Sequence, residues 1–123
     1  MWFPAAARLP VMVAFELADV EARQAAGGRP YLEFLSVPDL SLGLYVLPAG
    51  GVDGQQPHTE DEAYYVVRGR GQVTVGDETR DVEPGSIVFV PAAVPHRFHD
   101  IVEELSLLVM FGPAEGSRAV SRD

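Results

Sequence analysis

Residues 50–69 read Gly50-Gly51-Val52-Asp53-Gly54-Gln55-Gln56-Pro57-His58-Thr59-Glu60-Asp61-Glu62-Ala63-Tyr64-Tyr65-Val66-Val67-Arg68-Gly69. A glycine-rich loop runs into Ala63–Arg68, a run of aromatic and β-branched residues that predicts a strand. Alternation with period 2 puts residues 56, 58, 60 and 62 on one side of any extended segment, so Gln56, His58 and Glu62 can converge. The same pattern repeats on both sides. Upstream, Tyr31–Val37 and Leu40–Leu47 are apolar runs split by Pro38-Asp39. Downstream, Gly69-Arg70-Gly71 is read as a turn into Gln72–Val75, and Gly76-Asp77-Glu78 as a turn into Thr79–Val82. Ser86–Val90, His96–His99 and Leu105–Phe111 follow, with a loop from Pro91 to Pro95. Eight or so short strands at close spacing predict an all-β sandwich or barrel.

A helix is expected only over residues 14–26. Phe15, Ala18, Ala22 and Ala25 share a face, Asp19 and Arg23 are spaced i,i+4, and Gly27-Gly28 stops the helix. Residues 1–13 read as an irregular arm or edge strand, and the small, polar segment from Pro113 as a fraying tail. The expected organisation is therefore an arm and short helix over 1–30, a β-barrel over 31–112, and a flexible tail over 113–123.

Composition narrows the function. The 123 residues carry 9 basic and 18 acidic side chains, a net charge of −9, which repels phosphate and argues against nucleic acid and anionic membranes as partners. There is no cysteine, which excludes disulfides, thiolate metal sites and cysteine nucleophiles. No apolar run approaches a membrane span. The short run Leu9–Phe15 contains Pro10 and is followed by Glu16 and Asp19, unlike a secretory signal, so the expected compartment is the cytoplasm.

The chain has three histidines, His58, His96 and His99. Two imidazoles and a carboxylate form a ligand set for a first-row divalent metal with open positions. The spacing then becomes informative. Gly50, five residues, Gln56-x-His58, three residues, Glu62, six residues, Gly69 resembles the first motif of the cupin superfamily, in which two histidines stand where Gln56 and His58 are. Gly85, five residues, Pro91-x-Ala93, two residues, His96, three residues, Asp100 resembles the second, with Ala93 in place of a glycine and Asp100 in place of an asparagine. The alternative register, with His58 and Glu60 as the paired ligands, leaves too short a gap before Glu62. The resemblance covers residues 50–100 directly and about 31–111 with the flanking strands.

It implies a jelly-roll barrel with a short N-terminal helix and one metal inside. The metal is Zn, Ni, Fe or Mn, held by His58, Glu62 and His96, with Gln56 as a weaker fourth ligand because an amide donates less strongly than imidazole. Tyr64 shares the parity of Glu62 and is expected to reach the cavity, with Tyr45, Phe89, Phe98 and Met110 as its walls. His99 and Arg97 fall off the alternation of His96 and face away. Glu60-Asp61 reads as a solvated loop. The implied function is a metal-binding protein with a small-molecule pocket. Metal-dependent dioxygenation or isomerisation stands against a non-catalytic module that binds or senses a metabolite or metal, and against a structural partner in a larger assembly. Exposed apolar surface on residues 1–13, Tyr31–Val37 and Leu40–Leu47 predicts a homodimer.

Overall fold

The computed structural model describes residues 12–54 and 57–118. One helix, α1 (Leu17–Gly27), precedes six strands: β1 (Tyr31–Val37), β2 (Leu40–Leu47), β3 (Asp61–Val75), β4 (Glu78–Val82), β5 (Ile87–Val90) and β6 (His96–Gly112). All pairings are antiparallel, in the order β1-β2-β6-β3-β4, with β5 on the early part of β3. This is the jelly-roll barrel architecture.

Alternation sets the core. Glu62, Tyr64 and Val66 of β3 face inward, as do Leu105, Leu107, Val109 and Phe111 of β6, Val88 and Val90 of β5, and Leu47 of β2; all are buried. Each apolar side chain so buried contributes about 1.5–3 kcal/mol. The outer faces of β1 and β2 carry a second cluster, in which Val20 of α1 packs on Phe34 and Leu44. Phe15 stacks edge-on against Phe34, with ring centroids 5.0 Å apart.

Several expectations need correction. The predicted turn at Gly69-Arg70-Gly71 lies inside a single fifteen-residue strand, and His96–His99 and Leu105–Phe111 are one seventeen-residue strand. The glycines mark irregular pairing, since the β3–β6 register shifts between Val66 and Arg68, Arg68 and Arg70, and Arg70 and Gln72. The helix ends at Gly28, in the left-handed region at φ 70°, as expected. Its buried residue is Val20, while Ala18, Ala22 and Ala25 are exposed. Val20 of α1 packs on Phe34 and Leu44, while Val37 of β1 and Leu40 of β2 remain exposed, as do Ile87 and Phe89 of β5 and Tyr65 beside them on β3.

Residues 115–118, expected within a flexible tail, make hydrogen bonds back to the barrel. The Glu115 amide donates to Ser41 Oγ (2.9 Å), and the Gly116 and Arg118 amides donate to the Glu60 carboxylate (2.8 and 2.9 Å). Glu60, expected in solvent, is only 1% exposed. The expected arm over 1–13 lies outside the described residues up to residue 11, as does the end of the tail from residue 119.

Candidate metal centre and cavity

Glu62 and His96 reach the same point from different strands. Glu62 lies opposite Phe111 and Val90 near the start of β3, while His96 opens β6 opposite Val75 at the far end of the same strand. Barrel curvature brings these positions together. The loop before β6 is tied to the segment before β3 by two hydrogen bonds: the Ala92 amide donates to Asp61 Oδ1 (2.9 Å) and the Ala93 amide to the His58 carbonyl (2.6 Å). Asp61, expected in a solvated loop, is thus part of this tie. Ala93 and Asp100 have φ of 66° and 48°. The left-handed region favours glycine and asparagine, the residue types of the motif at these positions, and tolerates aspartate well.

The three groups form a compact set. His96 Nε2 lies 3.0 Å from Glu62 Oε1 and His58 Nε2 3.9 Å from the same oxygen. One donor atom from each of the three residues lies within 4.8 Å of the others. Ligands about 2.1 Å from an ion are separated by about 3.0–3.4 Å at right or tetrahedral angles, so the Glu62–His96 pair has metal-site spacing and His58, at 3.9 Å, stands slightly wider. His96 Nδ1–H donates to the Val94 carbonyl (2.9 Å), an outer contact that leaves the Nε2 lone pair facing the carboxylate. Glu62 is 2% exposed and His96 6%, and among the described residues neither Glu62 oxygen nor His96 Nε2 has a hydrogen-bond partner of acceptable geometry. Two buried acceptors pointed at each other require a cation between them, either a metal or a proton. When bound, a metal would supply Lewis acidity at its open positions.

The proton alternative has a sign. Burial alone lowers the His96 pKa. The Glu62 contact, the Val94 hydrogen bond and the charges of Glu62 and Asp53 outweigh it, and the pKa rises above its ordinary value. In the metal-free protein this pair stabilises the fold at pH below the unfolded histidine value of about 6.5, and the contribution is lost as pH rises through the higher folded value. With metal the order reverses, because His96 must be neutral to ligate. We expect melting temperature to fall between about pH 6 and pH 9 with a chelator present, and to rise over the same range with saturating Zn²⁺. Parallel pH profiles would show that Glu62 and His96 are not coupled in this way.

Beside these groups lies a cavity of about 660 Å³. Tyr31, Tyr45, Val109 and Phe111 supply aromatic and apolar walls, and Arg29, His58, Glu62 and Glu115 the charged or titratable ones. Tyr45, expected as a cavity wall, lines this cavity. Tyr64 and Phe98 are buried behind His96, with centroids 4.9 Å apart, and serve as core rather than lining. Phe89 and Met110 are corrections. Phe89 alternates with buried Val88 and Val90 and is 61% exposed on the outside of the barrel; Met110 alternates with Val109 and Phe111 and sits on the outer face opposite Leu42 and Ala63. His99 and Arg97 face away from the cavity as expected, and His99 Nδ1 donates to Asp100 Oδ2 (2.6 Å). Gln56 lies outside the described residues.

Residues that the sequence did not disclose also build the site. Asp53 is 7% exposed and accepts from the Tyr45 hydroxyl (2.8 Å) and the Phe98 amide (2.9 Å), fastening residues 48–54 beside the cavity. Burial first, and then the Asp53 hydrogen bond and charge, push the Tyr45 hydroxyl pKa upward. Asp53→Ala leaves both donors without this acceptor and is expected to cost about 2 kcal/mol in urea unfolding; an unchanged midpoint would show that other acceptors replace it. Glu115 reaches the cavity from beyond β6, with Oε2 3.6 Å from His58 Nδ1. Burial and the nearby charges of Glu33, Glu62 and Glu60 raise its carboxyl pKa.

Comparison with known proteins agrees with this architecture. A Streptomyces coelicolor protein, SCO3923, is 52% identical over 104 residues, spanning 85% of this chain and 99% of its own. The TT1209 structure from Thermus thermophilus superposes with a TM-score of 0.64 at 25% identity, over 83% of this chain and 98% of that one. A cupin 2 conserved barrel domain protein from Rhodopseudomonas palustris superposes with a TM-score of 0.61 at 24% identity, over 72% of this chain and 66% of that one. The sequence profile of the Cupin domain family matches residues 43–111, which include His58, Glu62 and His96. With both motifs and the barrel in place, the chain belongs to the cupin family.

Proposed function

We propose that this cupin holds one divalent transition metal on His58, Glu62 and His96 and binds a small molecule in the adjoining cavity. The observation that carries the reading is the pair of buried, mutually facing acceptors, Glu62 Oε1 and His96 Nε2, 3.0 Å apart. Zn, Ni, Fe and Mn all suit nitrogen and oxygen donors, and Gln56 is proposed as the weaker fourth ligand. The aromatic and apolar walls favour a compact, partly apolar molecule whose oxygen reaches the metal. On that basis the reaction is dioxygenation or isomerisation of a small oxygenated substrate.

A second reading, a non-catalytic binding or sensing module, is favoured by the apolar character of those walls. The test begins with protein dialysed, loaded with each ion in turn and assayed by mass spectrometry. One ion per chain is expected, and no stoichiometric uptake of any of them would exclude the metal reading. A screen of small oxygenated molecules against loaded and stripped protein then separates enzyme from module. Turnover that follows metal occupancy supports the enzyme, and binding that ignores occupancy supports the module.

No helix among the described residues is long and apolar enough to cross a membrane. We propose a cytoplasmic homodimer that pairs through the exposed apolar side chains of β5 and β3. Light scattering should then give about twice the chain mass of 13.3 kDa at micromolar concentration. A mass near 13.3 kDa would remove the claim.

A further inference from the structure

We propose that residues 113–118 form a strap that installs Glu115 as the carboxylate partner of His58, and that buried Glu60 locks the strap in place. The inference rests on the metal reading above and assigns its outer contacts. His58 Nε2 faces Glu62 Oε1 at 3.9 Å and Nδ1 faces Glu115 Oε2 at 3.6 Å, so each ring nitrogen is turned toward a different carboxylate. If Nε2 is the ligand atom, the proton resides on Nδ1, and an acceptor facing Nδ1 fixes both the tautomer and the ring orientation. His96 obtains that service locally, from the Val94 carbonyl two residues away. For His58 the carboxylate arrives from 57 residues further along the chain.

The strap is held by dedicated groups. Glu60 is an ionisable side chain only 1% exposed, and its two oxygens accept the Gly116 and Arg118 amides. The hydrogen bond from Thr59 Oγ1 adds to the satisfaction of the carboxylate. Ser41, which is fully buried, accepts the Glu115 amide itself. Glu60 immediately precedes β3 and is two residues from both His58 and Glu62. One short segment therefore carries two ligands and the anchor for the residue that orients one of them.

The test measures Zn²⁺ affinity by chelator competition at fixed pH in full-length wild type, Glu115→Ala, Glu115→Gln, His58→Ala and the His58→Ala/Glu115→Ala double variant. Glu115→Ala and Glu115→Gln should each weaken binding about 10–100-fold, with the metal-free melting temperature unchanged. The effect should vanish in the His58→Ala background, because Glu115 acts through that ring. A merely structural role would weaken both backgrounds equally. Glu60→Gln should speed hydrogen exchange at the Gly116 and Arg118 amides and lower affinity to the Glu115→Ala level. Should Glu60→Gln fail to fold, the His58 and Glu115 cycle still decides the assignment of Glu115. A wild type that takes up no ion overturns the metal reading and this inference with it. Tight binding by wild type and Glu115→Ala alike, or additive losses in the double variant, overturns this inference alone.

Discussion

Glu62→Gln should abolish metal uptake and at the same time stabilise the metal-free protein by about 1–2 kcal/mol at pH above the raised folded pKa of His96. Both results come from one geometry. The carboxylate is buried, its oxygens lack hydrogen-bond partners among the described residues, and Oε1 is turned toward the lone pair of His96 Nε2 at 3.0 Å. With metal, that arrangement presents two good donors. Without it, once His96 has lost its proton, a buried anion faces an acceptor, which is costly. A glutamine amide donates to His96 Nε2 and removes the charge, so it repairs the metal-free protein while supplying a much poorer ligand. Stability sacrificed for a site in this way is a common pattern. Alanine at His58 or His96 should also lose more affinity than the roughly 10–100-fold typical of an outer contact. Gln56→Ala should lose less, and Gln56→His should bind more tightly. Calorimetric metal titration and urea unfolding of the stripped proteins check the set. A Glu62→Gln protein that still holds stoichiometric metal, or that is less stable than wild type once pH has passed the raised folded pKa of His96, would contradict this account of the centre.

The candidate cluster of His58, Glu62 and His96 was legible because its spacing is local to two motifs. His58 and Glu62 lie on one short segment, and the proposed partner His96 follows a Pro-bounded loop whose backbone ties back to that segment. Cavity walls were less legible, because each depends on which residue of one strand lies opposite which of another. Phe89 and Met110 are each one residue from inward-facing neighbours, and a single-residue shift exchanges the faces of a strand. Phe111 and Tyr31 became visible only once β1, β2, β3 and β6 were in register. The alanines of α1 formed a plausible face, yet the helix docks through Val20, the residue that packs with Phe34 and Leu44. Glu115 had no local signal at all. Its position follows from amides held by Glu60 and Ser41, which lie 55 and 74 residues earlier in the chain.

Gly69→Ala should destabilise the barrel by about 3 kcal/mol or more, or prevent folding. In the sequence Gly69 reads as a turn residue, but in the fold it sits within β3 where the pairing with β6 shifts, at φ +98°. Two costs combine there. A side chain in this backbone region carries a penalty of about 1–2 kcal/mol. A Cβ would also stand 2.1 Å from the Glu104 carbonyl oxygen, 2.7 Å from its carbon and 2.8 Å from Leu105 Cα. These are backbone atoms of the longest strand, so relief requires β6 to move away from β3 and disturb the registered core pairs on either side. Overpacking of that kind typically costs about 1–3 kcal/mol more. Gly85 provides the control, since its φ is +96° and a Cβ there meets nothing within 4 Å. Gly85→Ala should incur the backbone penalty alone, so the difference between the two variants in urea unfolding isolates the close approach of β3 to β6. Because Gly69 closes the spacing that begins at Gly50, this difference also gives the motif's last glycine a physical reason: two strands cross too closely there for any side chain. Equal losses at Gly69 and Gly85 would show that β6 yields freely and that this explanation of the glycine is wrong.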